Sequence, residues 1–265
     1  MRNRILSFRN IVLAASLAAV AALAAAQRPG GGPPAAPNTL TAKENVQGWK
    51  LLFDGLSLAG WRGLGYDGVP DKHWRIDGDA IMKVAAKDIA PGADGAPVPG
   101  GDLMTVEAFR DFELAFEWKI SSGGNSGLKY NVSEEISRGT PPKGHAALGF
   151  EYQVLDDDLH EDARNGPNRT AAALYDLIGP RGKSLRPVGE YNSARIVFIK
   201  NHGEHWLNGR KVLDFDLEIT AFNELLAKSK FKAIAGFADK RRGHIVLQDH
   251  GDAAWFRNLK IRVVG

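Results

Sequence analysis

Apolar and polar residues alternate with a period of two in several segments beyond residue 73, the spacing of half-buried strands. "DFELAFEWKI" (111–120) is the clearest case. Phe112, Leu114, Phe116, Trp118 and Ile120 fall on one face, against Glu113, Ala115, Glu117 and Lys119 on the other. "NSGLKYNV" (125–132) sets Leu128, Tyr130 and Val132 against Asn125, Lys129 and Asn131. "GFEYQVLDDDLH" (149–160) sets Phe150, Tyr152 and Val154 against Glu151 and Gln153, then runs through three aspartates to His160. Further strands are expected in 73–84, 194–216, 244–251 and 253–265. Asp77-Gly78 and Asn208-Gly209 supply hairpin turns.

One segment, "TAFNELLAKSKF" (220–231), has helical spacing, with Thr220 as its expected N-cap. Many strands, regular turns and one minor helix predict an all-β antiparallel sandwich. At this length the closest architectural analogy is the concanavalin- and glucanase-like jelly roll, in which one sheet commonly curves into a sugar-binding trough. Phe150, Tyr152 and Val154 are then expected between the sheets. Glu151, Gln153, Lys129 and Asn125 are expected on the open face.

The N-terminus departs from this pattern. Arg2, Arg4 and Arg9 precede a 16-residue apolar run ending in Ala24-x-Ala26. That is shorter than the roughly 20 residues of a spanning helix, and it reads as a signal peptide over 1–26. A Pro/Gly-rich tether is expected over 27–45 and one domain over 46–265. The expected location is therefore exported, periplasmic or secreted, with no membrane association after cleavage. The three leader arginines account for the whole formal charge of +3. A near-neutral mature chain gives no electrostatic case for nucleic acid. With no cysteine anywhere in the chain, disulfides and thiolate metal sites are excluded.

The polar residues left on the open face suit a polyhydroxylated ligand, because sugars require many planar donors and acceptors in fixed positions. "QDHGD" (248–252) adds Gln248, Asp249 and His250 to that inventory. No His-Glu-x-x-His, calcium loop, complete phosphate loop or Gly-x-Ser-x-Gly elbow occurs. The sequence therefore requires no cofactor, although Asp156, Asp157 and Asp158 could ligate a divalent metal. Glu151, Gln153 and Asp156 resemble a damaged Glu-x-Asp-x-x-Glu motif of retaining glucanases, which use two carboxyl groups about 5–5.5 Å apart. A retaining glycosidase using Glu151 and Asp156 thus stays open, as does a non-catalytic sugar-binding module.

Six stretches carry a more specific resemblance. They are "GWKLLFDGLSLAGWRG" (48–63), "DFELAFEWKISSGGNSGLKYNV" (111–132), "GFEYQVLDDDLHEDARNG" (149–166), "ALYDLIGP" (173–180), "VGEYNSARIVFIKNHGEHWLNG" (188–209) and "GHIVLQDHGDAAWFRNLKIR" (243–262). In this order they resemble the 3-keto-disaccharide hydrolase family, also described as 3-keto-α-glucoside 1,2-lyase/3-keto-2-hydroxyglucal hydratase. The resemblance implies β-elimination. A ketone at carbon 3 acidifies the carbon 2 hydrogen, a base removes it, the carbon 1 substituent leaves, and water adds back. It further implies an oxidised 3-keto glucoside or disaccharide as substrate, and a separate sugar 3-dehydrogenase to supply it. In the matching motifs His250 is the first candidate for base or acid, Glu151 the competing base, and Lys129 the enolate stabiliser. Asn125, Gln153, Asp156, Gln248 and Asp249 are expected to bind hydroxyls. Tyr175 and His160 are outer candidates for protonating the leaving group. His73, His202 and His205 are expected to be structural.

Overall fold

The computed structural model describes residues 36–139 and 146–265. The expected signal peptide and the first part of the tether lie outside the described residues. Thirteen antiparallel strands among the described residues form two sheets. In the eight-stranded sheet the order is β11 (Arg210–Asp216), β10 (His202–Leu207), β9 (Asn192–Ile199), β6 (Phe112–Ile120), β13 (Ala254–Val263), β4 (Ala80–Lys83) and β3 (Trp74–Asp77). The short β1 (Lys50–Leu51) also pairs with β13. The five-stranded sheet runs β2 (Trp61–Gly63), β5 (Leu103–Phe109), β12 (Gly243–Leu247), β7 (Asn125–Val132) and β8 (Phe150–Leu155). This is the antiparallel β-sandwich that the alternation predicts.

Both hairpins form, the second with its turn as read and the first with its turn one residue later than Asp77-Gly78. Leu207 pairs with Arg210 around Asn208 (φ 49°) and Gly209 (φ 81°), the left-handed pair of a type I′ turn. Asp77 pairs with Ala80 across Gly78-Asp79. Three expectations are corrected. The ordered domain begins before residue 46: Asn38 is buried, and its backbone and side chain exchange hydrogen bonds with Asn258 at 2.6 and 2.8 Å. α1 (Ala42–Val46) follows at once, closed by a Thr41/Glu44 capping box, so the tether ends earlier than residue 45. There are three short α-helices among the described residues: α1, α2 (Glu134–Gly139) and α3 (Thr220–Lys228). Thr220 is the first residue of α3, and the cap position falls on Ile219, whose side chain makes no capping bond. β5 has no clean alternation and was not among the expected strands.

The core lies between the sheets. β6 alternates strictly between buried and partly exposed positions, as a strand with one wet face should. Phe116 packs edge-on to Tyr152 at 5.3 Å, and Phe150 contacts Phe198, Phe215 and Phe237. His205 is fully buried in this core. It lies 2.9 Å from the Tyr130 hydroxyl and 3.1 Å from the Ala172 carbonyl, the structural role expected of it.

β7 and β8 differ from β6, because every residue of both is buried on both faces. The chain after β8 returns along the free edge of that strand. Ala172 donates to the Gln153 carbonyl, Gln153 to that of Ala173, and Tyr175 to that of Glu151. Glu151, Gln153, Lys129 and Asn125, expected on an open face, are all buried.

Candidate active site

The floor formed by β7 and β8 is set by strand register. Lys129 stands directly opposite Glu151, and Gly127 opposite Gln153. On the other side of β7, the Gln248 amide donates to the Gly127 carbonyl. Glu151 is 5 % exposed, Lys129 5 % and Asn125 3 %, values far below what unpaired polar groups normally tolerate.

Gly127 shapes the centre. A Cβ at this position would lie 2.5 Å from Glu151 Oε1 and 3.0 Å from its Cδ. The Glu151 side chain thus folds back over β7 into space that only a glycine leaves. With its amide oriented for hydrogen bonding, Gln153 donates to Glu151 Oε1 at 3.1 Å and to the Ser126 carbonyl at 3.0 Å. Burial pushes the Glu151 carboxyl above the usual carboxylate range, with Lys129 and Lys230 acting in the opposite sense. A carboxylate made more basic in this way is better suited to accept a proton than an exposed one.

Lys129 donates to Asp102 Oδ2 at 3.2 Å and to the Ala147 carbonyl at 3.0 Å. Burial alone would lower its pKa, but Asp102 and Glu151 outweigh it and hold the ammonium charged. Lys230, which the sequence reading missed, follows α3 in a 3₁₀ turn. There its backbone donates to Asp176 Oδ2 at 2.6 Å. Its Nζ lies 4.0 Å from the centre of the Tyr175 ring. Desolvation lowers its pKa, partly offset by attraction to Glu151. The Tyr175 hydroxyl donates to Asp162 Oδ2 at 2.7 Å, and burial followed by that carboxylate raises the phenol well above its usual range. Asp162 is itself held by Arg169 and Asn165. Asp102, Asp162 and Arg169 also escaped the sequence reading, since each reaches the site through contacts distant in sequence or through an irregular loop.

The remaining expected residues divide. Asn125 Oδ1 and Gln248 Oε1 are buried and have no protein partner. His250 has an exposed ring. Partial desolvation, and next the neighbouring His160, lower its pKa, so the imidazole is neutral near pH 7. His160 caps a 3₁₀ turn through Nδ1, and its ring centre lies 6.1 Å from that of His250. Two expected site residues are engaged by protein partners. Asp156 accepts from the backbone amides of Gly123, Asp158 and Leu159, because the chain turns sharply at the β8 exit and its amides need an acceptor. Asp249 is held by fully buried Lys83 at 2.9 Å and His73 at 2.8 Å, and its own amide donates to Asp102. It braces the loop from behind. Asp157 pairs with Lys183 and accepts from Ala171, so the triple-aspartate run does not converge on one point.

A separate cleft of about 400 Å³ opens at the β8 exit, bordered by Asp156, Asp157, Lys183 and Arg186. Glu151, Lys129 and His250 do not line it.

Residues 48–262 match a family model described as a 3-keto-alpha-glucoside-1,2-lyase-like domain. A relative from Bacteroides thetaiotaomicron, named 3-keto-disaccharide hydrolase, is 37 % identical over 245 residues, covering 86 % of this chain and 82 % of the relative. A crystal structure from Parabacteroides distasonis, described as a candidate glycosyl hydrolase, superposes with a TM-score of 0.73 at 28 % identity, covering 87 % of this chain and all of that one. A second structure from the same organism, similarly described, gives 0.58 at 25 % identity over 82 % of this chain and 99 % of the other.

Proposed function

The chain belongs to the 3-keto-alpha-glucoside-1,2-lyase-like family, and from that premise we propose that it cleaves 3-keto-glucosides by elimination across carbons 1 and 2 followed by rehydration. At the coarser level it is a carbohydrate hydrolase. The observation that carries the finer reading is the buried Glu151, with its raised pKa, lying over Gly127 and flanked by lysines.

Elimination needs one base, positive charge or donors for the enolate, and groups that fix the ring hydroxyls. Glu151 takes the carbon 2 proton. The electron pair moves to the carbon 3 ketone as an enolate, whose negative charge the Lys129 and Lys230 ammoniums favour. The enolate then expels the oxygen on carbon 1, which leaves as an alcohol with a proton from water. On rehydration the hydroxyl adds to carbon 1 and Glu151 returns a proton to carbon 2. Asn125 and Gln248, with unpaired acceptors on the floor, orient hydroxyls. Gln153 holds the Glu151 carboxylate in place. Water adds to the resulting glucal, and the net result is hydrolysis. Retaining displacement needs a second carboxyl group near Glu151, and the expected partner Asp156 is occupied by three backbone amides.

The substrate implies a separate dehydrogenase that oxidises carbon 3, because the sequence has no dinucleotide fingerprint. The leader pattern over 1–26 supports export. The test is incubation with 3-keto-trehalose and with plain trehalose in deuterated water, followed by NMR. Turnover of the keto sugar alone, with deuterium at carbon 2, is expected. Turnover of plain trehalose would replace this reading with direct glycoside hydrolysis, and binding without turnover would replace it with a sugar-binding module.

A further inference from the structure

His160, His250 and Asp252 stand together beside the start of β7, each offering one ligand atom, all within 4.8 Å of one another. They come from different parts of the fold. His160 closes the turn after β8, and the other two lie on the loop between β12 and β13. Asp252 is fixed by the Asn125 backbone amide, which donates to its Oδ2 at 3.0 Å. The Asn125 side chain reaches the same point, with Nδ2 3.5 Å from His250 Nε2. Its Oδ1 is buried without a partner in a residue only 3 % exposed. Two imidazoles, a carboxylate and an unsatisfied amide oxygen form an N/O donor set suited to a first-row divalent ion.

We propose that His160, His250 and Asp252 bind one divalent transition-metal ion, with Asn125 as the adjacent neutral oxygen donor. Three side-chain ligands leave coordination positions open toward the floor, where two neighbouring sugar oxygens can complete the shell. That last role rests on the proposed reaction and makes the ion a second source of positive charge for the developing enolate; ion binding itself does not depend on it. Two local contacts must yield. Asn125 Nδ2 faces His250 Nε2 at 3.5 Å, so its amide turns over to present Oδ1. His160 Nδ1 accepts the Asp162 backbone amide at 3.1 Å, which leaves the ring proton on Nε2, so ligation through Nε2 moves that proton to Nδ1 and breaks this cap. A single cap hydrogen bond is small against a coordination bond.

The experiment uses untagged protein, stripped with chelator and dialysed against Zn²⁺ or Co²⁺. Metal content and the visible spectrum of bound Co²⁺ are the readouts. One ion per chain is expected, with affinity reduced at least tenfold in His160→Ala and His250→Ala, and in Asp252→Asn, where the backbone contact can persist. Circular dichroism confirms that each variant is folded. Substoichiometric uptake, or binding unchanged in the variants, would overturn the site. Stoichiometric, ligand-dependent binding in a protein inactive on 3-keto sugars would retain the metal site and reject the reaction.

Discussion

Gly127→Ala tests the arrangement of the floor with one methyl group. The added Cβ would meet Glu151 Oε1 at 2.5 Å, whereas ordinary contact begins near 3.4 Å, so the carboxylate must retreat by roughly 1 Å. A displacement of that size at a reacting group can cost about 10²-fold in rate. Stability should respond much less. Gly127 has no positive φ, so alanine suits its backbone and gains about 0.4–1 kcal/mol through the unfolded chain. Crowding costs about 1–3 kcal/mol in return. Activity on a 3-keto-glucoside should therefore fall about 100-fold, while urea denaturation places the variant within about 2 kcal/mol of the parent. The double variant Gly127→Ala/Glu151→Gln should be no slower than Glu151→Gln alone, because the methyl acts through that carboxylate. Activity in Gly127→Ala within threefold of the parent would refute the assignment of Glu151 as the base held over Gly127.

Glu151→Gln should lower turnover by about 10²–10⁴-fold, the usual contribution of a positioned base, as measured by steady-state kinetics. The same group gives a pH signature in stability. Its folded pKa is raised above the unfolded value of 4.5, so the unfolded chain loses this proton first, and stability declines as pH rises from 4.5 to the raised value. Urea midpoints across that window should show the decline in the parent and its loss in Glu151→Gln. Glu134, held near 2 by Arg62, has the opposite sign. Its stabilisation is present above pH 4.5 and lost as pH falls toward 2, and Glu134→Gln should flatten the acid limb of the same titration. Asp249→Asn strips fully buried Lys83 of its carboxylate and should cost about 3–5 kcal/mol of stability. A stable Asp249→Asn protein with impaired sugar binding would instead restore Asp249 to the ligand site.

Period-two alternation was enough to locate β6, β7 and β8 and to place Phe150, Tyr152 and Val154 in the core. It did so because a pleated strand assigns faces locally, with no reference to its neighbours. Asn208-Gly209 specified its turn for the same reason, since the left-handed backbone of a type I′ turn favours those two residues. The alternation also put Glu151, Gln153, Lys129 and Asn125 on one face. It could not give their environment: the same pattern describes a strand with one wet face, as in β6, and strands buried on both faces, as in β7 and β8. Residues 172–175 also pair with the edge of β8, a contact that no local period encodes.

Tertiary structure also decided the roles of the acids. Asp156 and Asp249 have the composition of sugar ligands, but a sharp turn and a buried lysine claim them. Lys230 reaches the site only because α3 ends at Lys228 and a 3₁₀ turn brings the next residues against Asp176. Sequence determined which faces carry polar chemistry, because side-chain direction in a strand is a local property. Which of those groups keep a free lone pair or a shifted proton was decided by burial and distant partners, and these exist only once the sheets and loops have packed.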